Sequence, residues 1–172
     1  MTPSTTPALD TAALQAWIET LTDAQVVALT LWGEARGEDE RGRRMVASVI
    51  SNRLAYAKAW RVHFHAAHHW GETARDICLA HCQFSCWSTA QFNAVNLAAM
   101  RAVVTRDGAL TYAECLGIAG ELLGGTLTDC ASTATSYINP RDCAPPPWAA
   151  TANKVAEHGH HVSYRVLDRV LA

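Results

Sequence analysis

Apolar residues recurring at three- and four-residue intervals, in segments that open on capping signals, commit this chain to a mainly helical fold. Thr22-Asp23-Ala24-Gln25 has the form of a capping box, in which two side chains satisfy two backbone N–H groups that the helix leaves unpaired. The helix it opens aligns Val26, Val27 and Leu31 in one stripe, with Thr30 as its one polar member. Gly33 and Gly37 weaken its end, so Glu34 falls in or near the last turn. A second helix is predicted over 40–57, with Val46, Val49, Ile50 and Leu54 as its core face. Shorter helices are predicted over 13–21, 73–79, 90–104 and 111–123. The last starts with a second capping box, Thr111-Tyr112-Ala113-Glu114, and stops at Gly124-Gly125, where a left-handed cap fits. The stretch 60–71, dense in His and aromatic residues, has no clean period and reads as an irregular connection. Residues 133–147 read as loop with short extended pieces, and His160-His161-Val162-Ser163-Tyr164-Arg165-Val166 as a strand. Residues 1–12, rich in Thr, Pro and Ala, read as a frayed arm, which leaves 13–172 as one domain.

Composition narrows the partners. With 172 residues, 49% hydrophobic and 17% charged, the chain has the balance of a globular domain with a real core. A net charge of −2 and a pI near 6.4 give no reason to expect nucleic acid or an anionic membrane surface as a partner. Arg36, Arg41, Arg43 and Arg44 do cluster, but Glu38, Asp39 and Glu40 interleave with them, so a solvated mixed-charge surface is expected. No stretch approaches the ~20 consecutive apolar residues of a membrane span, so no integral membrane segment is expected. Six cysteines permit fifteen complete pairings. Cys130 and Cys143 bracket one short segment and are the first pair to test; all six as free, small hydrophobes is the alternative.

The segment Leu31-Trp32-Gly33-Glu34-Ala35-Arg36-Gly37-Glu38 sets a carboxylate beside small residues and an indole at a helix end. Glycine allows close approach of a ligand or another backbone. A partly dry surrounding would raise a carboxyl pKa, as a general acid working near neutral pH requires. On its own, this pattern fits an ordinary surface glutamate better than an acid.

The rest of the chain changes that balance. After Glu34-Ala35-Arg36-Gly37-Glu38 come, in order, Ser48-Val49-Ile50-Ser51-Asn52-Arg53 and Gln83-Phe84-Ser85-Cys86-Trp87. Thr135-Ser136-Tyr137-Ile138-Asn139-Pro140, Trp148 and Gly159-His160-His161-Val162-Ser163-Tyr164 follow. This ordered set, running from about Leu21 to Arg165, resembles the SleB-type cell wall hydrolases, the family of the spore-cortex-lytic enzymes. The resemblance implies a lysozyme-like fold of the lytic transglycosylase kind, mainly α with a small extended patch near the C-terminus. It implies cleavage of the MurNAc–GlcNAc β-1,4 bond of peptidoglycan glycan strands without a cofactor, and it places the catalytic Glu on Glu34. Its Tyr-Asn-Pro element falls on Tyr137, Asn139 and Pro140, and its Gly-x-His-x-x-Tyr element on Gly159, His161 and Tyr164. Ile138 and Ser163 stand where aromatic residues are usual, which would alter the sugar-binding wall.

Glu34 and Tyr137 are therefore the expected catalytic residues, with the phenol bonded to the Glu34 carboxyl group or to a sugar N-acetyl group. Gln83, Trp87, Asn139 and His161 form the expected substrate-binding set. Within it, Asn139 either binds sugar or holds its loop, and Gln83 either contacts glycan or stabilises a turn. Trp87 is core or stacking platform, while Phe84 belongs in the core. His161 reads as a structural hydrogen-bonder rather than a catalyst. No second acid stands out beside Glu34, although glycosidases ordinarily use two. That favours a transglycosylase over a hydrolytic muramidase.

Two rivals remain. A zinc peptidase acting on the same polymer would draw ligands from His65, His68, His69, Cys78, His81, Cys82 and His161. However, His65-Ala66-Ala67-His68-His69 lacks the Glu of the HExxH mechanism, so no metal is expected. A non-catalytic wall-binding module is the other. A monomer is expected, and the N-terminal stretch shows no secretory signal. Residence in a host cytoplasm until release to the wall, as a phage lysis protein would have it, is the matching expectation for location.

Overall fold

The computed structural model describes residues 11–88, 94–106 and 109–166. Among the described residues six α-helices, α1 (Thr11–Thr20), α2 (Asp23–Ala35), α3 (Glu40–Phe64), α4 (Ala74–Leu79), α5 (Ala94–Val104) and α6 (Leu110–Leu123), precede the strands. Strands β1 (Ser136–Ile138), β2 (Asn153–His158) and β3 (His161–Arg165) form an antiparallel sheet in the order β1-β3-β2. The mainly α fold with a small C-terminal β patch is as expected.

The central helix is α2. Its capping box forms as predicted, with Gln25 N–H donating to Thr22 Oγ1 at 3.2 Å and Thr22 N–H donating to the Gln25 side chain at 2.9 Å. Every residue from Val26 to Leu31 is buried, because α3, α4, α5 and α6 all pack on this helix. Full burial of Leu29 or Leu31 contributes on the order of 1.5–3 kcal/mol each. Thr30, the polar member of the stripe, is tolerated there because its hydroxyl donates to Val26 O at 2.9 Å.

Several boundaries differ from the sequence reading. Helix α1 starts at Thr11, inside the expected arm, while positions 1–10 lie outside the described residues. Likewise α5 is described from Ala94, and 90–93 lie outside. Helix α3 runs on to Phe64, so the first part of the aromatic stretch is helical after all. Trp60 and Phe64, four apart, bring their ring centroids within 4.3 Å, and Tyr56, His68 and Trp70 close round Trp60 and one another. His65 then ends the helix in the left-handed conformation, at φ 54.

The second capping box does not form. Helix α6 starts at Leu110 with Ala109 as its cap, and Glu114 turns instead to Arg43, both carboxylate oxygens accepting from Arg43 Nη2 at 2.8 and 2.9 Å. Arg43 is only 7% exposed, and a buried cation is costly without a carboxylate. The other end of α6 is as predicted. Gly125 adopts φ +72, and Thr126 and Gly125 donate to Glu121 O and Leu122 O.

Strand β2 was not anticipated. Its hairpin with β3 turns through Gly159 at φ +57, and the sequence 153–158 shows no apolar alternation because most of its side chains stay partly or fully exposed.

Candidate active site

Glu34 lies in the last turn of α2, and Gly33 before it is the reason another segment can reach its carboxylate. A Cβ at position 33 would stand 2.6 Å from the Cys86 Cβ and 3.1 Å from its Sγ. Without one, the 3-10 turn Ser85–Trp87 lies against the helix. The Trp87 indole N–H pins this turn to Thr30 Oγ1 at 2.9 Å. Cys86 N–H then donates to Glu34 Oε1 at 2.7 Å, and Ser85 Oγ donates to the same oxygen at 3.1 Å. From β1, the Tyr137 phenol donates to Glu34 Oε2 at 2.8 Å. Three donors from two distant segments thus fix both oxygens of a half-buried carboxylate.

Around this centre, burial decides the charge states. Tyr137 is pushed well above the usual phenol range by burial and then by the Glu34 charge, so it stays protonated and donates. His161, 4% exposed, lies against it with ring centroids 4.8 Å apart. Burial pulls its pKa down, which favours the neutral imidazole. The expected hydrogen-bonding role is not met at its Nδ1, which has no partner among the described residues. Arg53 is 4% exposed, donates Nε–H to Thr135 O at 2.6 Å, and stands over the Phe84 and Trp70 rings at 5.0 and 5.2 Å. Burial lowers its pKa to about 10, against the opposing pull of Tyr137, Cys78 and Glu34, so it remains a cation at neutral pH.

These groups open into a cleft of about 1070 Å³, and all six residues singled out from the sequence line it. Their local duties differ. Asn139 shapes its loop, accepting from Arg141 N–H at 3.0 Å and donating to Asp142 Oδ2 at 2.7 Å. Gln83 donates to His81 O at 3.4 Å, a turn contact. Trp87 directs its N–H inward and packs its ring against Trp17, 6.2 Å away. Ile138 lines the cleft, whereas Ser163, 1% exposed and paired with Tyr137 across the sheet, is off its wall. The expected effect of Ser163 on the sugar wall is therefore corrected: the small side chain fills a buried inner-face position.

Three contributors were not assigned from the sequence: Ser85, the Cys86 amide and Arg53. Ser85 and Arg53 sit inside quoted motifs, but nothing local tells a buried arginine from a solvated one, and a backbone N–H leaves no mark in a sequence.

Glu38 lines the cleft with Glu34 but its carboxylate is turned to His160, and Asp39 is not part of the lining. The Glu38 carboxylate is wedged against Gly42 and Gly159, and accepts from His160 N–H at 3.3 Å with the His160 ring at 2.7 Å. Asp39 caps α3, accepting from Gly42 N–H at 2.9 Å, and meets His158 at 2.7 Å. Both fasten the β2–β3 hairpin to the start of α3. Besides Glu34 and Glu38, one further acid among the described residues lines the cleft, Asp142, bonded to Asn139.

The cysteines are all free thiols. Cys130 and Cys143, the pair to test first, each have a backbone carbonyl as partner instead, Thr128 O at 3.5 Å and Asn139 O at 3.6 Å. Burial raises Cys78 and Cys115 to about 12, so both behave as small hydrophobes. The zinc ligand set does not assemble. His65 caps α3 and His68 is buried among aromatic rings. No group of three or more His, Cys, Asp or Glu among the described residues could hold a metal ion.

The sequence profile of a family described as Cell Wall Hydrolase matches residues 37–164, a span that begins just after Glu34 and contains the rest of the centre. A search of curated proteins finds no match. Among solved structures, the catalytic domain of the germination-specific lytic transglycosylase SleB from Bacillus anthracis is similar at 23% identity and TM-score 0.56. The similarity covers 83% of this chain and 93% of that one. The catalytic domain of the Bacillus cereus SleB protein is similar at 22% identity and TM-score 0.55, over 83% of this chain and 88% of that one. At these identities the likeness is one of fold.

Proposed function

Because the chain belongs to the cell wall hydrolase family, we propose that it degrades peptidoglycan by cutting the MurNAc–GlcNAc β-1,4 bond as a lytic transglycosylase. One observation carries this reading: a single cleft carboxylate, Glu34, is held by three hydrogen-bond donors, while the other two acids of the cleft are bonded elsewhere. Two-carboxylate glycosidases need a second acid about 5–5.5 Å or 6.5–9.5 Å from the first. A transglycosylase needs one. Glu34 gives its proton to the glycosidic oxygen as the C1–O bond breaks, and the substrate N-acetyl group supports the oxocarbenium-like centre. The Glu34 carboxylate then takes the proton of the MurNAc 6-hydroxyl as that oxygen bonds to C1. The product is a 1,6-anhydro end, and no water is consumed. Tyr137 keeps Oε2 aimed through both proton transfers.

Mass spectrometry of digested peptidoglycan tests this. Anhydro-MurNAc ends, lighter by one water than reducing ends, are the expected product. Reducing ends would shift the assignment to hydrolysis with Asp142 as the acid to test next, and new free amino groups would shift it to peptide or amide cleavage. Tyr137→Phe should keep the fold and lower kcat about tenfold, since it removes one hydrogen bond to a charged group, worth about 1.5 kcal/mol. Steady-state turnover of purified sacculi, with the thermal melt as a check on folding, measures it.

A further inference from the structure

We propose that Trp148 and Tyr164 form a second glycan-binding site, separate from the cleft, that stacks the ring of an N-acetylhexosamine unit of the wall polymer. The inference rests on the glycan-cleaving reading and adds to it a surface that holds the polymer while the cleft works. Trp148 and Tyr164 both belong to the ordered motifs of the sequence, yet neither lines the cleft. Tyr137 pairs with Ser163, so the next residue, Tyr164, projects from the opposite face of the sheet. The Trp148 ring meets it edge-on, with centroids 5.6 Å apart and planes at 84°, which makes an aromatic corner.

Packing alone does not account for this corner. Neither residue belongs to the hydrophobic core, and both are only half-buried. The Trp148 indole N–H and the Tyr164 hydroxyl have no partner among the described residues, and neither atom is buried. Aromatic residues that only fill space bond such polar tips when they bury them; here both tips are left open to a ligand. The corner is also rigid. Pro146 and Pro147 fix the approach to Trp148, whose carbonyl accepts from Thr151 N–H at 3.2 Å and Ala152 N–H at 2.9 Å. Tyr164 lies on the central strand, with Thr135 N–H donating to its carbonyl at 3.0 Å. Little ordering cost is then left for binding.

Lys154, opposite Tyr164 on β2, is ion-paired with Glu157, so the cation in register with the corner is neutralised. That suits an uncharged sugar face better than an anionic polymer. A pyranose has an apolar C–H face, and its rim carries hydroxyl and amide groups that can accept from an indole N–H or bond a phenol. From Cys143, on the cleft, to Trp148 is five residues, at most about 18 Å of chain. A polymer of repeating sugars can therefore engage both sites at once, and the second contact raises its effective concentration at the cleft.

The test titrates the full chain with a soluble β-1,4-linked N-acetylglucosamine hexamer. The Trp148 indole N–H resonance, assigned by its loss in Trp148→Phe, should shift saturably. A Trp148 resonance that stays in place would overturn the site, whatever happens in the cleft. Trp148→Ala should raise KM for sacculi roughly five- to tenfold with kcat kept, and Trp148→Phe should recover most of the loss. The loss should be smaller on a short soluble muropeptide, which the cleft alone can hold. Equal losses on both substrates, or a fall confined to kcat, would mark a structural role and overturn the proposal. A thermal melt checks folding, and if Trp148→Ala fails to fold, Trp148→Phe and the resonance still decide. Should the chain release no glycan fragments while the Trp148 resonance moves, the site would stand and the cleavage reading would fall; cleavage with a fixed resonance gives the reverse.

Discussion

Glu34→Gln is expected to slow peptidoglycan solubilisation by about 10²–10⁴-fold, the usual cost of removing a general acid. The substitution is nearly isosteric, so the site should survive it. The carbonyl of the new amide can still accept from Cys86 N–H and Ser85 Oγ, and its N–H₂ can donate to the Tyr137 oxygen, reversing that one bond. What is lost is the transferable proton. Truncation to Ala would be a poorer probe, because it leaves donors without an acceptor and adds a stability cost of about 1–3 kcal/mol. Release of soluble muropeptides, measured alongside co-sedimentation with sacculi, separates catalysis from binding. Equal rates for wild type and Glu34→Gln would assign the cleft to wall binding and remove Glu34 from any chemical role.

Gly33→Ala should damage the site without touching a reacting group. Two effects oppose each other. Alanine inside a helix gains up to about 1 kcal/mol over glycine. Against that, the new Cβ would sit 2.6 Å from the Cys86 Cβ and 3.3 Å from Met100 Sδ. Both Cβ atoms are fixed by their backbones, so no rotamer relieves the contact and the 85–87 turn must retreat by nearly 1 Å to reach ordinary van der Waals distance. Overpacking of this kind costs about 1–3 kcal/mol, so a net loss of stability is expected. The retreat carries the Cys86 amide and Ser85 away from Glu34, and a displacement of about 1 Å at a reacting centre costs on the order of 10² in rate. Gly117→Ala is the internal control: a Cβ on that exposed α6 glycine meets nothing within 4 Å, and it should stabilise by about 0.5–1 kcal/mol. Thermal melts and turnover of the two variants together decide the matter. A Gly33→Ala protein as stable and active as wild type would show that the turn does not bear on the carboxylate.

Legibility from the sequence followed the range of the interactions involved. The start of α2, its buried stripe and the position of Glu34 in its last turn were all readable, because caps and stripes are set by residues within about one helical turn of each other. The same locality misled at Thr111-Tyr112-Ala113-Glu114. The pattern there was a sound capping box, yet Glu114 answered a buried Arg43 seventy-one positions away. Cross-strand pairing likewise made β2 a strand without any alternation of its own.

The chain's order of residues determined most of the helices, the family to which the chain belongs and which carboxylate to suspect. Only the folded packing decided what surrounds that carboxylate. The Cys86 and Tyr137 donors lie 52 and 103 positions from Glu34, and Arg53 becomes a buried cation only once Phe84, Trp70 and Thr135 close round it. The physical reason is that helix signals are short-range and survive in the linear text. The dryness and hydrogen bonding of a site are sums over segments that meet only when the core has formed.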